Sequence, residues 1–363
     1  MLSRMDKKTR TLLIALIVIP IIFILFLIIL RGCNNSSSYS SYENKMVKGA
    51  EKYFNDKNSL PITEGGEVIV TLDDLVKEGY IKPSEKLLKN STCVGSVTVR
   101  NNGASVKKNN GGLYLYTPYL SCSDYTTTYI IDKLKEDIVT EKSGLYETSD
   151  GYVYKGNKVN NFVSFFGKNY LIISIDNNNI LKLVKVESEK EKVMWDDKFN
   201  SEVDRAYGKN DYSDSYIIEK LTDDYLATDE NKRKHLIAYD VCYGNRPSDY
   251  ETIDKNYECS KKLENQFISL LSPYDYAMAS YDQECTSIYS GSCSNYNYLY
   301  DNVEYTWLMN GLTDNTYEVY SYQGYISYDR ADIMDYYNVV IYISGNEVYT
   351  KGDGSLKDPY VIK

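Results

Sequence analysis

The first feature of the chain is a long apolar run near its beginning. Nineteen residues, apolar except for Pro20, separate Thr11 from Arg31. As a helix they extend roughly 28 Å at about 1.5 Å per residue, which matches the hydrocarbon core of a bilayer. Four basic residues precede the run and only Arg31 directly follows it. We therefore predict a cytoplasmic tail over 1–10, a transmembrane helix over 11–31 and an extracytoplasmic remainder.

A cleaved signal peptide is the alternative interpretation of this run. The run is longer than the usual apolar region of a signal peptide, and no small-residue cleavage site follows it. Acylation at Cys33 would make the chain a lipoprotein, but Arg31, two positions earlier, fits such a signal badly. We expect a retained anchor that crosses the membrane once.

After a polar linker over 32–41, the apolar residues first recur at the spacing of a helix. Further along, apolar and polar residues alternate as they do in strands. Ser40 and Glu43 have the spacing of a capping box. A second short helix is expected to start at Thr71, with Asp74 three residues on, and to end at Gly79. The first predicted helix has the apolar stripe Met46, Val47, Ala50, Tyr53 and Phe54. The segments VGSVTVR and LYLYTPYL then alternate as the two strands of a hairpin. Together these elements predict a small α+β domain over 42–125.

A charged linker over 126–143 leads into a larger predicted domain over 144–363. The runs 170–175 and 180–186 flank the turn sequence DNNN and predict a buried hairpin. The segments YSDSYIIEKL and SPYDYAMASY are compatible with helices, and the chain closes with two further predicted strands. The expected fold class is α+β, with a β-rich second domain.

The cysteines indicate disulfides rather than a metal site. The chain has seven, and leaving Cys33 aside, the other six lie in the predicted exported region, where thiols can oxidise. Zinc sites usually show Cys-x-x-Cys pairs or neighbouring histidines, whereas the one histidine of this chain is His235. Pairing of sequence neighbours predicts the bridges Cys93–Cys122, Cys242–Cys259 and Cys285–Cys293.

Composition narrows the classes of partner. A net charge of −10 argues against nucleic acid and against docking on anionic lipid headgroups. The 39 tyrosines favour strands and amphipathic recognition surfaces.

Motifs for catalysis or metal binding are weak, so we predict no catalytic residue, no metal and no cofactor. His235 has no glycine-framed nucleophile beside it and is expected to be a surface residue. Asp176 and Asp353 lie in sequences typical of turns rather than of a calcium loop. Carboxylate pairs of the kind that glycosidases use are expected to be solvated loop charges; they are Asp196 with Asp197 and Asp211 with Asp214.

The stretch from Cys285 to Tyr300 is the strongest candidate binding feature. If residues 295–300 form a strand, the tyrosines at 296, 298 and 300 share one face and the asparagines share the other. We predict a binding surface of Tyr296, Tyr298, Tyr300, Trp307, Asn295 and Asn297. The alternative is that one of these faces packs on the core beside Trp307.

Three segments together resemble a known group of proteins. They are GYVYKG with NNFVSFFGKNYLIISIDNNNILKLV, SPYDYAMASYDQEC with CSNYNYLYDNVEYTW, and GDGSLKDPYVI. This series resembles uncharacterised single-pass surface proteins of low-GC Gram-positive bacteria, whose final domain is C-type-lectin-like (sulfatase-modifying-factor-like). The segment MVKGAEKYF with TLDDLVKEGYI resembles the small domain that precedes it, which is distantly similar to a pilin head. The resemblance implies this architecture and a cell-surface location.

The expected function is therefore that of a membrane-anchored bacterial surface protein with a non-catalytic binding or scaffolding role. Its partner would be an envelope glycan or a surface protein. The alternative is a hydrolase that acts on the cell envelope through Asp and Glu carboxylates.

Overall fold

The computed structural model describes residues 38–88, 92–103, 113–247 and 252–363. The predicted tail over 1–10 and the predicted transmembrane helix over 11–31 lie outside these ranges. Among the helices within them, none combines the length and the apolar character needed to cross a bilayer. The described chain is α+β, as predicted.

Helix α1 covers residues 38–56 and carries the predicted apolar stripe. Met46, Ala50 and Phe54 are buried along it. The helix already includes residue 38, so Ser40 does not cap it, and the capping-box prediction is wrong. The Glu43 carboxylate instead accepts hydrogen bonds from the hydroxyls of Tyr125, at 2.8 Å, and Thr127, at 2.6 Å.

The next elements follow the local sequence signals closely. They are β1 (Glu67–Thr71), α2 (Leu72–Lys77), α3 (Ser84–Leu87), β2 (Val94–Asn101) and β3 (Tyr114–Ser121). The Thr71 side chain caps α2 by accepting the backbone N–H of Asp74 at 3.1 Å. Gly79, with φ of 83°, follows the end of that helix as predicted. Strands β1, β2 and β3 pair in this order.

The remaining elements alternate between short helices and strands. The helices are α4 (Ile130–Leu134), α5 (Tyr216–Ala227), α6 (Glu230–Arg233), α7 (Lys255–Glu258), α8 (Pro273–Met278) and α9 (Tyr298–Asn302). The strands are β4 (Gly144–Thr148), β5 (Gly151–Lys155), β6 (Phe162–Phe165), β7 (Lys168–Asp176), β8 (Ile180–Lys185), β9 (Val193–Met194), β10 (Tyr239–Cys242), β11 (Lys262–Gln266), β12 (Ile268–Ser269), β13 (Thr306–Gly311), β14 (Glu318–Tyr322), β15 (Ile326–Arg330), β16 (Met334–Asp335), β17 (Val340–Ser344), β18 (Tyr349–Lys351) and β19 (Tyr360–Ile362).

A nine-stranded sheet organises this part of the chain. Its path is β12-β17-β8-β7-β6-β19-β18, with β5 paired to β7 and β4 paired to β5. The predicted hairpin is the antiparallel pair β7 and β8, and its turn is held by Asp176, which accepts the backbone N–H of Ile180 at 2.7 Å. The last strand, β19, runs parallel to β6, so the beginning and the end of this region meet in one sheet.

Both tryptophans lie in the core beside this sheet. The Trp195 indole donates to the carbonyl of Leu308 at 2.9 Å, and the Trp307 indole donates to the carbonyl of Val193 at 2.9 Å. Neither side chain is more than 1% exposed. These reciprocal bonds tie the segments around β9 and β13 together.

The chain divides into two compact units. Of the described residues, the first unit comprises those within 38–60, 68–98 and 118–127, and the second comprises those within 61–67, 99–117 and 128–363. The predicted linker over 126–143 contains α4, whose residues Ile130, Ile131 and Leu134 are buried in the core of the second unit. This segment is therefore not an extended connection.

All three predicted disulfides are confirmed, and each closes a local loop. Cys93–Cys122 spans a sequence separation of 29, Cys242–Cys259 one of 17 and Cys285–Cys293 one of 8. Such bridges are typical of exported domains.

Candidate functional site

The second unit contains a cavity of about 320 Å³, which lies at the lower end of the range for small-molecule sites. Part of its wall is a row of directly paired residues across four adjacent strands. Tyr342 of β17 lies opposite Lys182 of β8, Lys182 opposite Ser174 of β7, and Ser174 opposite Val153 of β5. Helices α7 and α8 and the strand β10 supply further lining residues.

A buried ion pair lies in the cavity wall. The Lys182 ammonium is 2.6 Å from Asp275 Oδ2, and both side chains are largely buried. Burial is the largest single influence and lowers the pKa of Lys182. The charge and hydrogen bond of Asp275, together with Tyr342 and Tyr239, outweigh it, so this pKa lies above the ordinary value for lysine. Asp275 Oδ2 also accepts the backbone N–H of Ser272 at 2.8 Å and so helps to cap α8. Backbone hydrogen bonding therefore holds the pair in place.

A second buried carboxylate, Glu258, lines the same cavity. Its Oε1 atom accepts from Arg246 Nη1 at 3.2 Å and from the backbone N–H of Tyr274 at 2.9 Å. Burial raises the pKa of Glu258 to about 7, although Arg246 and a hydrogen bond with Ser272 lower it. Arg246 is fully buried and also donates to the carbonyl of Thr252 at 2.6 Å. Glu258 thus holds the segment around Arg246 in place.

Two tyrosines that line the cavity have hydroxyls that are closed to solvent and lack a hydrogen-bond partner among the described residues. They belong to Tyr154 and Tyr298, each 1% exposed. Burial raises the pKa of both phenols well above that of an ordinary tyrosine, and Asp275 adds to the effect at Tyr298. Both hydroxyls therefore remain protonated and able to donate.

A third tyrosine in the lining provides a contrast. The Tyr342 hydroxyl lies 2.7 Å from the hydroxyl of Ser269, and the Tyr342 ring stacks on Tyr239 with 4.4 Å between ring centroids. Tyr342 is satisfied within the protein, whereas Tyr154 and Tyr298 are not. An unpaired buried hydroxyl costs about 1–3 kcal/mol of stability.

Other charged groups of the lining also have partners or contact solvent. Lys255 pairs with Asp150 at 3.1 Å, and Asp240 accepts the backbone N–H of Asn265 at 3.2 Å. Asp240 and Lys262 are exposed. The disulfide Cys242–Cys259 joins β10 to the end of α7 in the cavity wall.

The predicted binding surface does not form as expected. The prediction of a strand over 295–300 is wrong. Tyr296 has a φ of 46°, which interrupts extended backbone, and helix α9 begins at Tyr298. Of the six predicted residues, three are exposed and three are buried. Exposed are Asn295, Tyr296 and Tyr300, and buried are Asn297, Tyr298 and Trp307. The six therefore do not share one surface, but Tyr298 lines the cavity.

Asn297 explains why this segment is helical. Its side-chain oxygen accepts the backbone N–H groups of Leu299 and Tyr300, at 2.9 and 3.3 Å, and so caps α9. Its amide nitrogen donates to the carbonyls of Tyr276, at 2.9 Å, and Cys293, at 2.7 Å. Asn297 thus fixes α8, α9 and the Cys285–Cys293 loop together and places Tyr298 in the cavity wall.

Two residues judged to be exposed from the sequence are buried. His235 is 7% exposed, and its Nδ1 lies 2.9 Å from Glu347 Oε1. Asp196 is fully buried and accepts the backbone N–H groups of Lys209 and Tyr216. Both predictions are wrong because long-range partners, which neighbouring sequence does not reveal, satisfy these side chains.

The other carboxylates considered from the sequence have local structural roles. Asp211 accepts the backbone N–H of Ser213, Asp214 pairs with Lys198 at 2.7 Å, and Asp353 accepts the backbone N–H of Ser355. In the described parts of the chain, His, Cys, Asp and Glu side chains form no group of three or more that is suited to a metal ion.

The sequence alone did not identify Lys182, Asp275, Glu258 or Tyr154 as site residues. One available signal was Lys182, a lysine flanked by Leu181 and Leu183 in a strand expected to be buried. A comparison with protein-family models, curated proteins and solved structures finds no match, so function is argued from the geometry of this site.

Proposed function

We propose that the protein is a membrane-anchored binding protein of the bacterial cell surface, with the cavity of the second unit as its ligand site. The observation that carries this proposal is the cavity itself, whose wall combines the buried ion pair of Lys182 and Asp275 with the exposed polar side chains of Asp240 and Lys262. The exposed side chains of the lining can bond to a ligand. Its carboxylates are occupied by protein partners, which favours binding over catalysis.

The size of the cavity favours a small group over a protein surface. Stable protein–protein interfaces bury about 1,200–2,000 Å² of rather flat surface, whereas this cavity of about 320 Å³ accommodates a compact group. An envelope glycan that presents a terminal residue fits this description better than a folded protein.

The resemblance to lectin-like surface proteins is compatible with the proposed architecture. Support for it comes from the parallel pairing of β6 with β19, which joins an early part of the region 144–363 to its last strand. The resemblance of the small domain predicted over 42–125 to a pilin head is supported by α1 and the three-stranded sheet β1-β2-β3.

Membrane anchoring is supported by the apolar run over 11–31 and by the disulfides, which are typical of an oxidising compartment. A tag before Met1 should be protected from protease added to intact cells, while a tag after Lys363 should be digested. Digestion of the first tag with protection of the second would overturn the proposed location.

Binding through the cavity can be tested with the full chain and isolated cell envelopes. Met278 lines the cavity, so Met278→Trp should fill part of it and lower the retained protein at least about tenfold. Met334→Trp is the matched control, because Met334 is 49% exposed and does not line the cavity. Equal retention of the two variants would exclude the cavity as the binding site.

A hydrolase is the second candidate, favoured by one observation. Asp275 and Glu258 line the same cavity and both contact Ser272, and the pKa of Glu258 is raised to about 7 while Asp275 pairs with a lysine. A protonated and a charged carboxyl are the groups that glycosidases use. Release of reducing ends from envelope polysaccharide by the wild-type chain, abolished in Glu258→Gln, would establish this activity.

A further inference from the structure

A groove of about 310 Å³ lies on the other face of the nine-stranded sheet from the cavity. Two neighbours in β17 show this arrangement, because Tyr342 lines the cavity, Ile341 lines the groove, and consecutive residues of a strand point to opposite faces. The floor of the groove is formed by buried aliphatic side chains, which are Leu236, Ile268, Val339 and Ile341. The groove is therefore separate from the proposed ligand site.

Phe166, at the edge of this groove, has an unusual backbone conformation. Phe165 pairs with Lys168 across β6 and β7, so Phe166 and Gly167 form a two-residue hairpin loop. Their φ angles of 47° and 72° are left-handed, as in the hairpin turn that favours Asn-Gly, and this conformation is unfavourable for phenylalanine. Phe166 is nevertheless 42% exposed and lines the groove. A strained and exposed aromatic residue beside an apolar floor indicates a role in contacting a ligand.

Two lysines of the groove have charge available for an anion. The Lys232 ammonium lies 5.6 Å from the centroid of the Phe166 ring, and Lys232 forms no ion pair with the described residues. Lys168 lies 3.6 Å from Glu187, and both of these side chains are more than half exposed. An exposed pair of this kind contributes little energy, so Lys168 can also interact with a ligand.

The two carboxylates that line the groove have protein partners. Glu189 pairs with Lys185. Asp224 pairs with Lys220 and accepts a hydrogen bond from the Tyr337 hydroxyl at 2.7 Å. The charge that remains available to a ligand is therefore positive, although the whole chain has a net charge of −10. This charge balance favours an anionic ligand over a cationic one.

Beyond the proposed function, we infer that the Phe166 groove binds an aliphatic carboxylate. The carboxylate pairs with Lys232, Lys168 adds positive charge, and the aliphatic chain packs on Phe166 and on the floor. A peptide end would also bring amide groups, which an aliphatic floor leaves without partners. The volume of about 310 Å³ equals roughly ten water molecules at about 30 Å³ each, which is about the number of carbon and oxygen atoms in octanoate.

The test compares probes that share one chain and differ in charge. Octanoate is an anion, octanamide is neutral and octylammonium is a cation at pH 7, and their affinities for the full chain can be measured by NMR titration. Octanoate should bind at least about threefold more tightly than octanamide and at least about tenfold more tightly than octylammonium. Absence of octanoate binding, equal or tighter binding of octylammonium, or tighter binding of N-acetylleucine, which carries an amide, would overturn the inference.

Variants then locate the binding. Phe166→Asn should weaken octanoate binding at least about threefold and leave the urea midpoint equal to or above that of the wild type, because Asn-Gly favours this turn. Lys232→Gln should also weaken binding at least about threefold. Lys190→Gln is the matched control, since Lys190 is exposed and does not line the groove. Unchanged affinity in both Phe166→Asn and Lys232→Gln, or an equal loss in Lys190→Gln, would refute the assigned contacts.

Met278→Trp separates this inference from the proposed function. Met278 lines the cavity and not the groove, so this variant should bind octanoate as the wild type does. Loss of octanoate binding in Met278→Trp would place the probe in the cavity and overturn the inference. Equal envelope retention of Met278→Trp and Met334→Trp would refute the proposed function alone.

Discussion

Removal of an unpaired buried hydroxyl should affect stability differently from removal of a paired one. Tyr154, Tyr298 and Tyr342 are buried to a similar degree and line the same cavity, but only the hydroxyl of Tyr342 has a protein partner, Ser269. A Tyr→Phe change deletes one oxygen in each case and preserves the ring. The three variants therefore compare paired and unpaired hydroxyls in one environment.

The expected magnitudes follow from the hydrogen bonds. Tyr342→Phe loses a buried bond of 2.7 Å, which should lower the free energy of unfolding by about 1 kcal/mol. Tyr298→Phe and Tyr154→Phe lose no protein bond and remove a buried polar atom, so they should raise it by up to about 1 kcal/mol. The two kinds of variant should differ by about 1–2 kcal/mol, or roughly half a molar in the urea midpoint for a slope of about 3 kcal/mol/M.

Tryptophan fluorescence is a suitable assay, because Trp195 and Trp307 are the only tryptophans of the chain and both lie in the second unit. Urea unfolding of the wild-type chain and the three variants should give a common slope and shifted midpoints. A loss of stability in Tyr298→Phe as large as that in Tyr342→Phe would refute the reasoning, since it would mean that the Tyr298 hydroxyl is already paired.

Three further predictions concern groups around the cavity. Replacing Cys242 and Cys259 with serine should lower the free energy of unfolding by about 3 kcal/mol, as expected for a closed loop of this length; a urea midpoint equal to that of the wild type would contradict it. Lys182→Met leaves Asp275 buried without its counter-ion and should lower the free energy of unfolding by about 3–5 kcal/mol. Adding Asp275→Asn should restore part of this loss, and a double variant less stable than Lys182→Met would contradict the prediction. Since the folded-state pKa of Glu258 is raised to about 7, its contribution to stability is complete below about pH 4.5 and is lost as the pH rises to about 7, by about 3 kcal/mol. In Glu258→Gln, the urea midpoint should change less between pH 5 and pH 7.5 than it does in the wild type. An unchanged dependence of the midpoint on pH would rule out Glu258 as the cause.

Local sequence signals predicted much of the fold. The apolar stripe of α1, the Thr71 cap of α2 and the Asp176 turn between β7 and β8 were all readable, because neighbouring residues determine them. The disulfide pairing also followed from sequence neighbours. In each case the residues that form the interaction lie close together in the chain.

The candidate site was harder to predict, because its contacts join distant parts of the chain. Lys182 and Asp275 are 93 residues apart, and their pairing depends on how β8 and α8 meet. The alternating tyrosines before Tyr300 fit a strand locally, but the capping and long-range bonds of Asn297 favour a helix. His235 was misjudged for a similar reason, since its partner Glu347 is 112 residues away.

The anchoring of the Cys285–Cys293 loop has a consequence for protein engineering. The disulfide closes the base of the loop. The Asn297 amide donates to the carbonyls of Cys293 and of Tyr276 in α8, and so links the loop to that helix. Thr286 and Gly291 are exposed, and a Cβ at Gly291 would meet no other described atom within 4 Å. Randomised libraries at these two positions should therefore fold like the parent chain, which makes the loop a site for grafting foreign epitopes or new binding sequences while the cavity is preserved.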